Sequence, residues 1–114
     1  MTCDHDGTCR AIESFPVIAV SEFGAAYGDD EIMAEIFSRG PVAVNLNAEC
    51  IETYMGGINM YDTCNTILIN HVVQLVGWGS ENGVDYWIGR NSWGTYWGES
   101  LLCLVSALLL RANL

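Results

Sequence analysis

The sequence predicts an α+β fold, with one helix and a sheet whose best-marked pair of strands is antiparallel. Three observations carry this. Residues 29–39 hold a complete set of helix start and stop signals. Apolar, β-branched runs at 15–20, 42–46, 71–76 and 86–88 are bounded by Gly and Pro. Between the last two runs lies Asn82-Gly83, the strongest short hairpin signal in the chain.

In chain order, residues 1–15 carry Cys3, His5 and Cys9 in a polar, turn-rich context. Phe15-Pro16-Val17-Ile18-Ala19-Val20 is rich in β-branched residues and opens at a proline, which predicts a strand. Gly24 to Gly28 is a loop. Asp29 is the expected helix N-cap, with Asp30 and Glu31 in the first turn, where the macrodipole favours negative charge. Ile32, Met33, Ile36 and Phe37 form an apolar stripe expected in the core. Arg39, Gly40 and Pro41 end the helix.

Gly40 to Leu46 alternates as a second strand, and Ala48 to Met55 suits a short helical turn. Met60 to Ile69 is expected to be an irregular loop leading to Asn70. Trp78, Trp87 and Trp97 are expected as core or interface aromatics.

The run from Asn70 to Trp97 carries the chemistry. His71 opens an apolar strand, and the strand across the hairpin ends in Arg90-Asn91-Ser92-Trp93-Gly94. A neutral thiol is a poor nucleophile, and an adjacent imidazole activates it by holding a thiolate–imidazolium pair. The imidazole in turn needs a partner that fixes its tautomer and rotation. An amide oxygen supplies this without adding a charge. With a two-residue turn at Asn82-Gly83, Glu81 pairs with Val84, and the register continues to set Gln74 opposite Asn91. Bringing His71 to Asn91 then demands a slip of three residues, about 10 Å. A bulge or longer turn is the available device, with Gly77, Gly79 and Gly89 the natural places for it.

On these residues the chain resembles the C-terminal half of the papain-like cysteine peptidases, and most closely their cathepsin Z branch. The N-S-W-G motif, the Gly40-Pro41-Val42 segment and the Y-x-x-G-I pattern at Tyr54 to Ile58 all fit it. The resemblance implies the sheet-rich half of a papain-like fold, an antiparallel twisted sheet or half-barrel. It implies peptide-bond hydrolysis through a Cys-His-Asn site, with His71 as general base and acid, Asn91 as its orienter and Trp93 as a shield over their hydrogen bond. It implies a Cys3–Cys9 disulfide and a lysosomal or secreted protein. Peptide or protein is the substrate of the parent enzyme, and neither a cofactor nor a metal is expected.

The resemblance covers residues 3–99. Residues 1–99 are read as the C-terminal domain and 100–114 as a divergent apolar tail, able to pack as a buried strand or to expose a sticky end. The C-G-x-C-W context of the family nucleophile and its oxyanion glutamine motif do not occur in the sequence. The expectation is therefore a fragment, inactive alone, whose first partner is the missing N-terminal domain. Cys64, seven residues before His71, is a loop cysteine in no such context and is expected to be inert or disulfide-bonded.

Other classes stay in view. A zinc site drawing on Cys3, His5, Cys9 and Cys50 or Cys64 lacks the paired C-x2-C spacing. A buried histidine capping a strand accounts for His71 without function, and a non-catalytic peptide- or peptidase-binding module accounts for the exposed face. With 14 acidic residues against four arginines the formal charge is −10 over 114 residues. That excludes nucleic acid and anionic membrane as partners. No stretch reaches the roughly 20 apolar residues of a spanning helix, and the first residues lack the basic start and apolar core of a signal peptide.

Overall fold

The computed structural model describes residues 2–60 and 67–107. Among the described residues it is α+β, with one helix on a five-stranded, mostly antiparallel open sheet. In chain order the elements are β1 (Thr2–Cys3), β2 (Cys9–Arg10), α1 (Gly28–Arg39), β3 (Val42–Leu46), a 3-10 turn (Ala48–Cys50), β4 (Ile58–Asn59), β5 (His71–Glu81), β6 (Val84–Arg90) and β7 (Leu102–Ser106). The sheet order is β3-β5-β6-β7-β4, with β4 parallel to β7 and the other pairs antiparallel. β1 and β2 form a separate ribbon, closed by a Cys3–Cys9 disulfide.

The helix begins two residues earlier than Asp29 as N-cap would have it. Tyr27 is the N-cap, its backbone N–H donating to Glu31 Oε2 at 2.8 Å. Gly40, with φ 104°, ends the helix and donates its N–H to Ile36 O. Ile32 is buried, and Met33 and Ile36 pack against the core. Phe37, expected beside them, is 88% exposed. It sits about 140° around the helix axis from Ile32, outside the arc that the sheet covers.

The strand expected at 15–20 does not form, and Phe15, Val17, Ile18, Val20 and Phe23 are all exposed. β-branched residues supply propensity, but a strand exists only where a neighbour answers its backbone groups. Among the described residues, none pairs with this segment. The result is an exposed apolar strap from Phe15 to Phe23.

One face of the sheet is dry. Val44, Leu46, Val73, Leu75, Trp87, Cys103 and Val105 line it, and Ile32, Ile51 and Tyr54 cover them. The hairpin turns at Asn82-Gly83 with Glu81 paired to Val84, the ideal register. That register holds as far as Gly77↔Ile88 and then shifts, so that Leu75 faces Gly89 and Gln74 faces Arg90. Val76 is the single extra residue on β5, a β-bulge beside Gly77. Successive side chains alternate faces, so one inserted residue inverts which side chains point inward. Trp78 shares a face with Trp87, yet Leu75 and Val73 share that same face.

Residues Leu102–Ser106 of the apolar tail are a strand of the sheet, with Cys103, Val105 and Ser106 buried. They enter it through a tight turn. Glu99 and Leu102 bond reciprocally, while Ser100 and Leu101 take φ of 57° and 80°. Two central residues at positive φ mark a turn that favours Asn-Gly. Leucine is poorly suited to it, because its Cβ crowds the carbonyl.

Replacing Ser100 and Leu101 together by Asn and Gly is expected to stabilise the chain by about 1–2 kcal/mol. Urea unfolding checks this: the midpoint rises and the slope stays unchanged.

Candidate active site around His71

Three contacts set where His71 begins β5. Leu46 of β3 faces it across the sheet. The preceding residue, Asn70, donates its N–H to Leu46 O at 3.2 Å and accepts from the Ala48 N–H through Oδ1 at 2.8 Å. The end of β3, the 3-10 turn and the start of β5 are thus tied at one point.

Asn91 follows directly on β6 and is 4% exposed. Continuing the bulged register sets Val73 opposite Asn91, with His71 two residues further along the same face. This is the diagonal relation, within reach of long side chains at about 7–8 Å between backbones. His71 Nε2 and Asn91 Oδ1 meet at 2.8 Å. A slip of three residues is not needed, because a one-residue bulge and a diagonal reach accomplish it.

The amide orientation follows from a second contact. The Ser92 backbone N–H donates to the same Oδ1 at 2.8 Å. A backbone N–H can only donate, so the atom it meets is the oxygen and not the amide nitrogen. That oxygen can only accept, so the histidine proton sits on Nε2. In the neutral ring Nδ1 is then left as a base. The backbone N–H of Asn91 is held by Leu101 O at 2.9 Å, which fixes the main chain from the β7 side. Asn91 Nδ2 is buried without a partner among the described residues.

Trp93 stacks on the imidazole, with centroids 4.9 Å apart and planes inclined 25°. It is 38% exposed, so one face lies against the imidazole and the other meets solvent. Sequence reasoning missed what supports it. Trp97 meets Trp93 edge-on at 5.1 Å, and Tyr54 meets Trp97 at 5.7 Å. The Tyr54 hydroxyl accepts from the Leu104 N–H at 3.2 Å and donates to Glu99 Oε1 at 3.3 Å. The same carboxylate oxygen accepts from the Gly57 N–H at 2.9 Å. Burial raises the Tyr54 hydroxyl above its ordinary range. Gly98 allows the close approach: a Cβ there would lie 2.5 Å from Leu102 O. The signal in sequence was the spacing of Trp93, Trp97 and Glu99, but nothing local joins it to Tyr54.

The described sulfurs offer His71 no nucleophile. Cys3 and Cys9 are bonded to each other and Cys50 is disulfide-bonded, so these three are not free thiolates. Cys64 lies outside the described residues. Cys103 is a free thiol buried in the core, donating to Gly89 O at 3.6 Å, and burial pushes it from 9.0 up to about 11. What the arrangement can do is accept and return one proton at Nδ1, in a fixed direction.

The sequence matches the family described as "Papain family cysteine protease" over residues 2–106. It is 44% identical to cathepsin Z of Onchocerca volvulus over 97 residues, which is 82% of this chain and 31% of that protein. It is 37% identical to a cathepsin L-like proteinase of Fasciola hepatica, again over 82% of this chain and 30% of the relative. The chain thus spans under a third of the length of these curated relatives. Among solved structures, digestive procathepsin L 3 of Tenebrio molitor larval midgut superposes with a TM-score of 0.68 at 36% identity, covering 78% of this chain and 31% of that one. The helix and open sheet correspond to the sheet-rich half of that fold.

Two outcomes are expected of the site and its neighbour. In Asn91→Ala the imidazole loses its acceptor, so nitrogen NMR of the ring should change from the Nε2–H tautomer to a mixture, with about 1–2 kcal/mol lost in stability. For Cys103, the raised folded value means that its contribution to stability is complete below pH 9 and is lost as pH climbs through about 11. The loss amounts to about 2–3 kcal/mol. Tyr54 acts in the same direction at high pH, so alkaline unfolding curves of Cys103→Ala should keep only the tyrosine's share.

Proposed function

The chain belongs to the papain family of cysteine proteases, and on that premise we propose that it is the C-terminal part of a cathepsin Z-like peptidase in which His71 is the general base and acid. Asn91 orients the ring and Trp93 keeps water from their bond. The observation that carries this reading is the 2.8 Å contact between His71 Nε2 and an amide oxygen whose identity Ser92 fixes.

In the assembled enzyme a cysteine from the preceding domain gives its proton to His71 Nδ1, leaving a thiolate. The thiolate attacks the peptide carbonyl carbon, and the imidazolium returns the proton to the departing amine as the C–N bond breaks. Water, deprotonated by His71, then cleaves the thioester. Asn91 takes no proton in either half. It keeps Nδ1 aimed at the sulfur through both transfers, the role the third member plays in such triads.

Residues 1–99 are the C-terminal domain of the peptidase and 100–114 a divergent tail, of which Leu102–Ser106 add strand β7 to the sheet. The exposed face of Trp93 and the strap from Phe15 to Phe23 meet the preceding domain, which also supplies the nucleophile and the oxyanion glutamine. Without it the 114-residue chain hydrolyses nothing. The substrate is peptide or protein. The Cys3–Cys9 bond suits an oxidising compartment, lysosomal or extracellular.

The test is a fluorogenic-peptide assay on the purified chain, alone and after co-refolding with the N-terminal part of a cathepsin Z relative. No turnover is expected alone. In the reconstituted protein, turnover sensitive to thiol inhibitors is expected, and His71→Ala should abolish it. Thiol-sensitive turnover by the chain alone that disappears in His71→Ala overturns the reading.

A further inference from the structure

Two parts of this chain each hold one half of a β-pairing. β3 is an edge strand, with β5 on one side and, among the described residues, no strand on the other. The Asn91 N–H points at β7. Alternation, carried back through the registers of β6, β5 and β3, turns the N–H and C=O of Ala43 and Asn45 outward. These groups bond to nothing else among the described residues. Such an edge is a template for one more strand.

The strap is the other half. Val17, Ile18 and Val20 favour a strand and are 82%, 96% and 80% exposed, and no neighbour answers them among the described residues. The root of the strap is fixed close to the edge that lacks a partner. Glu22 pairs with Arg39 at 3.1 Å, and a groove of about 470 Å³ lies between this root, the end of α1 and the start of β3. Ala25, Ala26, Pro41, Val42 and Ala43 contribute to its lining, and their small side chains leave room for larger ones.

Charge and area name the occupant. Residues 14–21 and 40–48 contain no charged side chain, so neither segment selects an acidic or a basic partner. Phe15, Val17, Ile18, Val20 and Phe23 together present on the order of 800 Å². That is one partner's share of a stable interface of standard size. Because root and groove adjoin, a single two-fold axis near Pro41 lets each copy give a strap and receive one, which closes the assembly at two.

We propose that two copies of this chain pair by exchanging straps. Residues 17–20 of each copy add a strand to the outer edge of β3 in the other, and the neighbouring large side chains cover the groove. The formal charge of −10 on each copy opposes the approach, so added salt strengthens the pair. In the assembled enzyme the preceding domain takes the strap, and the exchange belongs to the chain without that domain. The pairing involves none of the His71 chemistry, so its failure leaves the peptidase reading untouched.

Sedimentation equilibrium of the full chain in about 0.05 M and about 0.5 M sodium chloride tests it. In the higher salt the mass should rise with concentration and level at twice 12.5 kDa. Half-association is expected there at about 10–100 μM, and at several-fold higher concentration in the lower salt. Hydrogen exchange at the amides of Ala43, Asn45 and residues 17–20 should slow together as the pair forms. Ile18→Lys changes a side chain that is already bare, and Ala43→Pro removes an outward N–H that the monomer's own ladder does not use. Each should raise the midpoint about tenfold. A monomer up to about 1 mM, masses that climb past two copies, or an unchanged midpoint in Ile18→Lys overturns the proposal. Protection of the same amides in a monomer also overturns it, as the sign of a strap folded onto its own edge.

Discussion

The constraint on which the rest of the structure depends is the extra residue at Val76. A β-strand shows alternate faces at every step, so an eleven-residue strand of unbroken register would set His71 and Trp78 on opposite sides of the sheet. With one residue inserted, both ends of β5 turn inward. The hairpin end packs Trp78 beside Trp87, and the other end sets Val73 and Leu75 in the core and His71 beside Asn91. Without the bulge, burying the core would turn the imidazole away from the amide.

A second dependence runs from the tail to the site. Asn91 Oδ1 meets the imidazole while its own backbone N–H is held by Leu101 O, within the turn that enters β7. Glu99, at the other side of that turn, secures Tyr54, which supports Trp97 and through it Trp93. The packing of the sheet and the direction of one histidine nitrogen are therefore coupled through a few hydrogen bonds.

What the sequence disclosed follows from how local each signal was. The helix was legible because Asp29, Asp30 and Glu31 at its start and Arg39-Gly40-Pro41 at its end act within a turn of themselves. Its N-cap missed by two residues because Glu31 reaches back to Tyr27, a contact between neighbours that composition does not encode. The hairpin turn at Asn82-Gly83 was legible for the same reason. The bulge was not, since Val76 is an ordinary strand residue and only the burial of both strand ends demands it. Residues 15–20 misled because β propensity is a statement about side chains, whereas a strand needs a neighbour. The roles given to His71, Asn91 and Trp93 came from motif resemblance, since an ideal hairpin would have kept His71 and Asn91 apart. The cradle of Tyr54, Trp97 and Glu99 was invisible because it joins residues 45 positions apart.

The strap from Phe15 to Phe23 has a colloidal consequence. A surface carrying so many bare aromatic and branched aliphatic groups invites copies to cluster, and what holds them apart is the shared negative charge of −10. That repulsion fades as acidity approaches the isoelectric point near 4.2, while the greasy segment stays as it was. The solitary polypeptide is thus least soluble near that isoelectric point.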